Sequence, residues 1–132
     1  MVKERISINN ELDIVIARQR GREIAKNFGF ALIDLALIAT AISELTRNVL
    51  TYATRGDIII QTVDEHFRKG IMFVCIDEGP GIENIELAMQ DGYSTSTNSL
   101  GLGLPGVRRL MDDFEISSES GKGTTVTIKK WI

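Results

Sequence analysis

The chain of 132 residues is long enough to bury one contiguous core and too short for two. Apolar residues make up 43% of it and charged residues 25%, which argues against the disordered and fibrous classes. A formal net charge of −3 gives no electrostatic reason to bind nucleic acid, because that binding depends on clustered Lys and Arg. No apolar run reaches the roughly 18–20 residues that span a bilayer, and residues 1–5 lack the apolar region of a signal peptide. We therefore expect one cytoplasmic domain with neither a nucleic-acid nor a membrane partner.

The first part of the chain predicts a short strand followed by two long helices. Residues 5–8 alternate between polar and apolar side chains, as a strand does. A helix is predicted from residue 11 to about 28, with Gly29 as a natural stop. Its predicted buried stripe consists of Leu12, Val15, Ile16, Ile24 and Phe28. A second helix is predicted over residues 32–52, and its core positions recur at steps of three and four: Leu35, Ile38, Ile42, Leu45 and Val49.

The rest of the chain predicts a sheet interrupted by a loop and a helix. Strands at 58–63 and 71–76 are separated by a polar hairpin connection at 64–70, and Cys75, the only cysteine, is expected to be a small buried side chain. Beyond them we predict further elements, which are a helix at 83–91, a polar loop at 92–101, a helix at 104–114 and strands at 115–118 and 124–131. Helices on one face of a mostly antiparallel sheet would bury both apolar faces, so the predicted class is α+β.

Three short motifs carry candidate chemistry, and the first is on the second helix. Glu44 and Asn48 are four residues apart, so they project from the same helix face, with Thr40 one turn earlier. A carboxylate there can deprotonate a hydroxyl, and an amide oxygen can coordinate Mg²⁺, which prefers oxygen ligands. Taken alone, the same spacing also fits an ordinary exposed polar face.

The second motif, Asp77-Glu78-Gly79-Pro80-Gly81, directly follows an apolar strand. A partly buried carboxylate at Asp77 needs a hydrogen-bond donor, and the exocyclic amine of adenine would supply one. Gly79 and Gly81 let a ligand approach the backbone, and Pro80 stiffens the turn. A simple strand-ending turn remains the alternative, because Asp, Gly and Pro all favour turns.

The third motif is the glycine run of residues 101–106, which leads into a helix. Glycines before a helix N-terminus expose backbone N–H groups to an anion, and the helix dipole adds attraction for phosphate. The run is neither a Walker loop, since it lacks the Gly-Lys-Ser/Thr ending, nor a Rossmann fingerprint, since no βαβ unit follows it. A flexible connector is the alternative for this motif alone.

In this order the motifs resemble a known superfamily. Glu44-x-x-x-Asn48, Asp77-x-Gly79-x-Gly81, Gly101-x-Gly103 and Gly123-Thr124 look like the N box and glycine boxes of the GHKL ATPases and kinases. That superfamily joins sensor histidine kinases, anti-sigma-factor serine kinases, gyrase, MutL and ATP-driven chaperones. Residues 11–29, 40–45, 91–96 and 103–112 resemble the switch serine/threonine kinases of the bacterial stressosome within it.

The resemblance implies a fold and a set of partners. The fold is the Bergerat α/β sandwich, a mixed and mostly antiparallel sheet with helices on one face. The cofactors are ATP and Mg²⁺, and ATP lies beneath a lid formed by residues 92–106. The substrates are STAS-domain scaffold and antagonist proteins, and the released kinase activates a downstream PP2C-type phosphatase.

The resemblance also implies roles for individual residues. Glu44 would be the general base, Asn48 would hold Mg²⁺, and Asp77 would receive the adenine amine. The remaining nucleotide contacts surround the adenine pocket or belong to the lid: Gly79, Gly81 and Thr124, and Gly101, Leu102, Gly103, Leu104 and Gly106. Many relatives place a basic residue three or four positions after the Asn, where this chain has Thr51 and Tyr52. Lid amides, Mg²⁺ or Arg47 would then have to meet the phosphate charge.

Two other functions share these motifs. An anti-sigma-factor serine kinase has the same boxes and also sequesters a sigma factor. A binding module with a vestigial ATP pocket would retain affinity for nucleotide without phosphotransfer. A histidine kinase is disfavoured, because 132 residues leave no room for a dimerisation hairpin that carries a phosphoacceptor histidine.

Overall fold

The computed structural model describes residues 2–81, residue 89 and residues 103–132. Within them the elements, in chain order, are β1 (Lys3–Ile8), α1 (Glu11–Phe28), α2 (Leu32–Ala53), β2 (Gly56–Glu65), β3 (Arg68–Asp77), α3 (Gly103–Leu110), β4 (Asp113–Glu119) and β5 (Gly123–Trp131). The strands form one sheet in the order β1-β2-β3-β5-β4, and each of its four pairings is antiparallel. The α+β prediction is confirmed.

The sheet buries one face beneath the helices. Side chains of a strand alternate between its two faces, so the register decides which residues enter the core together. Ile60 of β2 pairs with Phe73 of β3, and Phe73 pairs with Ile128 of β5. All three side chains are fully buried. Cys75 is buried in the same layer beside Ile58, as predicted.

Helix α1 begins and ends where the sequence predicts. Asn10 accepts a hydrogen bond from the Asp13 backbone N–H, the Asp13 carboxylate accepts one from the Asn10 backbone, and Gly29 ends the helix in the left-handed conformation. The predicted buried stripe is wrong at two positions, because Leu12 is 65% exposed and Ile16 43% exposed. The side that packs on α2 is instead built mainly from small residues and isoleucines: Ile14, Ala17, Gly21, Ile24 and Ala25.

Close approach of the helices explains that packing face. A Cβ on Gly21 would collide with the Ile42 side chain of α2 and lie 3.2 Å from the Phe73 ring. Small residues therefore let α1 sit directly against α2, and the larger Leu12 and Ile16 are left on the outer side. The predicted core positions of α2 are all confirmed as buried, namely Leu35, Ile38, Ile42, Leu45 and Val49.

The two largest differences from the predicted boundaries lie in the β2–β3 hairpin and at the end of α3. The hairpin connection predicted at 64–70 consists of residues 66 and 67 alone, because Glu65 already pairs with Arg68. The helix predicted at 104–114 ends at Leu110, and Phe114 belongs to β4, where it pairs with Ile128. The predicted helix at 83–91, apart from residue 89, and the loop at 92–101 lie outside the described residues.

Candidate active site

Asp77 lies at the end of β3, where three strands meet. It pairs with Gly56 of β2 on one side and Thr124 of β5 on the other. Its Oδ1 accepts a hydrogen bond of 3.0 Å from the Gly79 backbone N–H, which orients the carboxylate. No described residue donates a hydrogen bond to Oδ2. As far as the described residues show, this oxygen of the half-buried Asp77 can accept a hydrogen bond from a ligand amine, as the adenine assignment requires.

Three glycines lie around the end of β3, where there is no room for side chains. A Cβ on Gly79 would lie 2.8 Å from Cα of Ala53, the last residue of α2. A Cβ on Gly123 would collide with the backbone carbonyl of Asp77, and one on Gly81 with the backbone carbonyl of Glu119. Because these positions are glycines, the ends of β3, β4, β5 and α2 can pack closely together at one end of the sheet.

Thr124 lies beside Asp77 and is held by a neighbouring strand. Its Oγ1 is 2.9 Å from Oγ of Ser118, which also donates a hydrogen bond of 3.1 Å to the Gly123 carbonyl oxygen. Ser118 and Thr124 are directly opposite each other in the β4–β5 pairing. The predicted contact residue Thr124 is therefore placed next to the predicted adenine acceptor. Sequence reasoning missed Ser118, because nothing in the sequence indicates this cross-strand partner.

Helix α2 brings the other two predicted residues to the same end of the sheet. The Cys75 thiol of β3 lies 3.8 Å from the Leu45 carbonyl oxygen of α2. Val49, one turn later, packs against Gly56, and Ala53 packs against Gly79. Because Glu44 and Asn48 lie on this C-terminal half of α2, they are carried to the Asp77 end of β3.

The Glu44 carboxyl group is in an unusual environment for an ionisable side chain. It is only 4% exposed, and no described residue donates a hydrogen bond to it. Burial raises its pKa above the ordinary carboxyl value, and the positive charge of Arg47 partly offsets that shift. A carboxylate with a raised pKa is a stronger proton acceptor than a solvated one, which suits a general base.

The helix that follows the glycine run contributes backbone rather than side chains. Gly103 begins α3, and Leu104 and Gly106 are buried. The Leu104 side chain joins the hydrophobic core, so its predicted contact with nucleotide would have to come from its main chain. The predicted contacts Gly101 and Leu102 lie outside the described residues.

The donor set can be compared with what magnesium requires. Among the residues that the structure describes, His, Cys, Asp and Glu form no group of three that could hold a metal ion by themselves. Mg²⁺ is commonly bound through only one or two protein ligands, with substrate phosphates and water completing its shell. The half-buried amide of Asn48 fits that kind of site. Asn48 therefore remains the predicted protein ligand.

Glu44 also lines a cavity of about 550 Å³ that opens between α1 and α2. We call it the α1–α2 groove, and define it by Glu11 and Arg18 of α1 and by Thr40, Ser43, Glu44 and Arg47 of α2. Arg47 thus lies on the groove side of α2. From the sequence, Arg47 was considered only as a contact for phosphate, and Arg18 was not singled out.

Comparison with known proteins identifies the family. Residues 33–131 match the family of histidine kinase-, DNA gyrase B- and HSP90-like ATPases. The serine/threonine-protein kinase RsbT of Bacillus subtilis (strain 168) is 50% identical over 127 residues, which cover 96% of this chain and 95% of RsbT. The chain belongs to this ATPase family, in the branch of the RsbT kinase.

Other members of this ATPase family are more distant. An anti-sigma F factor of Caldanaerobacter subterraneus is 36% identical over 102 residues, which cover 75% of this chain and 71% of that protein. The mycobacterial sensor histidine kinase MprB superposes with a TM-score of 0.58 at 16% identity, over 98% of this chain and 97% of MprB. The catalytic domain of the histidine kinase ThkA gives 0.54 at 18% identity, over 96% and 95%. The two structures support the fold of the ATPase family.

The structure also bears on membrane association. Among the helices of the described residues, none combines the length and the apolar composition needed to cross a bilayer.

Proposed function

We propose that this protein transfers the γ-phosphate of ATP to a Ser or Thr hydroxyl of STAS-domain scaffold and antagonist proteins. The observation that carries the proposal is the position of Glu44. This buried carboxylate lies on the helix that leads to the Asp77 pocket, and it also lines the α1–α2 groove, which has a volume of about 550 Å³. A base between a nucleotide site and an open groove suits transfer to another protein.

Each residue then has one task in the transfer. The free Oδ2 of Asp77 accepts the adenine amine, and the adjoining glycines and Thr124 shape the pocket around the base. Asn48 would hold Mg²⁺, which supplies positive charge at the phosphates. Glu44 accepts the proton of the partner hydroxyl as its oxygen bonds to the γ-phosphorus. The bond from that phosphorus to the bridging oxygen breaks, and ADP leaves.

The groups that meet the phosphate charge belong to the same proposal. Thr51 and Tyr52 stand where many relatives have a basic residue. The backbone N–H groups at the start of α3, where Gly103 permits close approach, would take over that role together with Mg²⁺.

The partners follow from the RsbT branch. STAS-domain proteins would be phosphorylated in the cytoplasm, and the released kinase would then activate a PP2C-type phosphatase. The test is transfer of label from Mg-ATP to a purified STAS-domain protein, followed by phosphatase assays with and without the kinase. Absence of transfer by the wild-type protein would overturn the proposal.

The anti-sigma-factor function is the second candidate, because relatives with that name are up to 38% identical over 75% of this chain. Such a protein would hold a sigma factor directly. A pull-down that recovers a sigma factor, without phosphatase activation, would favour this second function over the first.

A further inference from the structure

Two arginines, Arg18 and Arg47, line the α1–α2 groove. None of the ion pairs between described residues includes Arg18 or Arg47. Arg20, two residues along α1 from Arg18, is by contrast bound to both Glu4 and Glu23. Arg20 therefore stabilises the fold through its ion pairs. The guanidinium groups of Arg18 and Arg47 form no ion pair among the described residues, so their N–H donors can bind a ligand.

The other polar side chains of the groove are already occupied. Oγ1 of Thr40 donates to the Ala36 carbonyl oxygen at 3.0 Å, and Oγ of Ser43 donates to the Ala39 carbonyl oxygen at 2.9 Å. Hydroxyls bonded to their own helix offer little to a ligand. The groups left to recognise a partner are therefore the charged ones, which are the carboxylates of Glu11 and Glu44 and the two guanidinium groups. Arg47 is the arginine nearest in sequence to the predicted base.

The position of Arg47 on α2 separates it from the predicted metal ligand. Arg47 follows Ser43 by four residues and Thr40 by seven, so the three share one helix face. Asn48 instead follows Glu44 by four residues and is absent from the groove lining. Glu44 lies between the two faces. A partner hydroxyl that reaches Glu44 through the groove therefore enters a space that Arg47 also lines.

We propose that Arg47, with Arg18 on the opposite wall, binds a carboxylate side chain of the partner segment that carries the accepting hydroxyl. The proposal rests on the function proposed above, and adds that the kinase selects acidic segments. A guanidinium binds a carboxylate through paired N–H donors, so the contact would fix the direction of the segment as well as its charge. Segments without an acidic residue beside the hydroxyl would be poor substrates.

The experiment compares Arg47→Gln and Arg47→Glu with the wild type in label transfer from Mg-ATP to a STAS-domain protein. We expect KM for the STAS-domain protein to rise about ten- to a hundredfold in Arg47→Gln and further in Arg47→Glu, as for loss of a hydrogen bond between charged groups. ATP affinity, measured by titration with a fluorescent ATP analogue, should stay within about twofold and also shows that both variants are folded. The control is Arg22→Glu, which changes the net charge of the protein as much as Arg47→Glu does but lies outside the groove.

A charge-swap experiment then identifies the bound carboxylate. Asp and Glu residues near the accepting hydroxyl of the STAS-domain protein are changed to Lys one at a time and tested with Arg47→Glu. One of these changes should restore transfer to Arg47→Glu while impairing transfer by the wild type. Rescue by none of them would overturn the proposal.

Two further outcomes would also overturn it. An unchanged KM in both Arg47 variants would show that the arginine does not contact the partner. Loss of ATP affinity in Arg47→Gln would instead assign the guanidinium to phosphate. Absence of transfer by the wild-type protein is a different result, because it would refute the proposed kinase function rather than the role of Arg47.

Discussion

Replacing Asp77 by Asn tests the adenine pocket with little change in shape. The amide oxygen of Asn can still accept the hydrogen bond from the Gly79 N–H, which measures 3.0 Å in the structure. The second oxygen becomes an NH₂ group that faces the adenine amine, so an acceptor is replaced by a donor. A hydrogen bond to a charged group contributes about 1.5–3 kcal/mol. The dissociation constant for ATP should therefore rise about ten- to a hundredfold.

Titration with ATP measures the loss of affinity, and titration with GTP shows whether the preference for adenine over guanine changes. Guanine has a carbonyl oxygen where adenine has its amine, so the Asn variant should lose much of the preference for ATP over GTP. Asp64→Asn is the matched control, because Asp64 lies at the opposite end of β2 from the Gly56–Asp77 pair. If Asp77→Asn bound ATP as tightly as the wild type, the assignment of Asp77 to adenine would be wrong.

Three further predictions follow from the site and the core. Gly123→Ala should destabilise the protein by more than about 3 kcal/mol in urea denaturation, because the backbone is left-handed and a Cβ would collide with the Asp77 carbonyl. Gly121→Ala, also left-handed but with open space around it, should cost only about 1–2 kcal/mol, and equal losses would contradict this packing. In a pH–rate profile, transfer activity should fall on the acid side as Glu44 is protonated, and burial places this fall above the ordinary carboxyl pKa. Because Arg47 lowers the pKa of Glu44, Arg47→Gln should move the fall to higher pH. A fall at the same pH in both proteins would argue against Glu44 as the base. Burial raises the pKa of the Cys75 thiol from 9.0 to about 12, so the unfolded chain releases this proton first and stability declines as pH rises from 9 towards 12. At pH 10 the loss is on the order of 1.4 kcal/mol, and Cys75→Ala should lack this contribution.

The sequence predicted the positions of the helices and strands better than it predicted which side of each helix is buried. Core positions of α2 are large aliphatic residues at helical spacing, so their pattern was readable. On α1, the residues that touch α2 include Ala17 and Gly21, which contribute little to an apolar pattern. Leu12 and Ile16 dominated the pattern and proved to be exposed. Close helix packing selected small side chains, and hydrophobicity alone does not show this.

The boundary between α3 and β4 illustrates a tertiary effect. Residues 104–114 fit a helix, but Asp112 accepts a hydrogen bond of 2.7 Å from the Trp131 backbone N–H and donates one of 3.0 Å to the Lys129 carbonyl oxygen. Phe114 then pairs with Ile128 and contributes to the edge of the core. Contacts with a strand that comes later in the chain ended the helix, and local propensity could not reveal them.

The candidate site also has one part that the sequence predicts and one part that it does not. Glu44, Asn48 and Asp77 could be proposed from spacing, because each lies at a position set by one helix or one strand. The α1–α2 groove depends instead on how two helices meet, and its arginines resembled ordinary surface residues in the sequence. The proposed contacts with a partner were therefore the part of the site that required the structure.

The central claim is that Glu44 accepts the proton of a partner hydroxyl during phosphate transfer. The most direct measurement is single-turnover transfer from Mg-ATP to a purified STAS-domain protein by the wild type and by Glu44→Gln, with ATP affinity measured in both. We expect Glu44→Gln to bind ATP normally and to transfer phosphate about 10²–10⁴-fold more slowly, the range for loss of a general base. Equal transfer rates in the two proteins would contradict it.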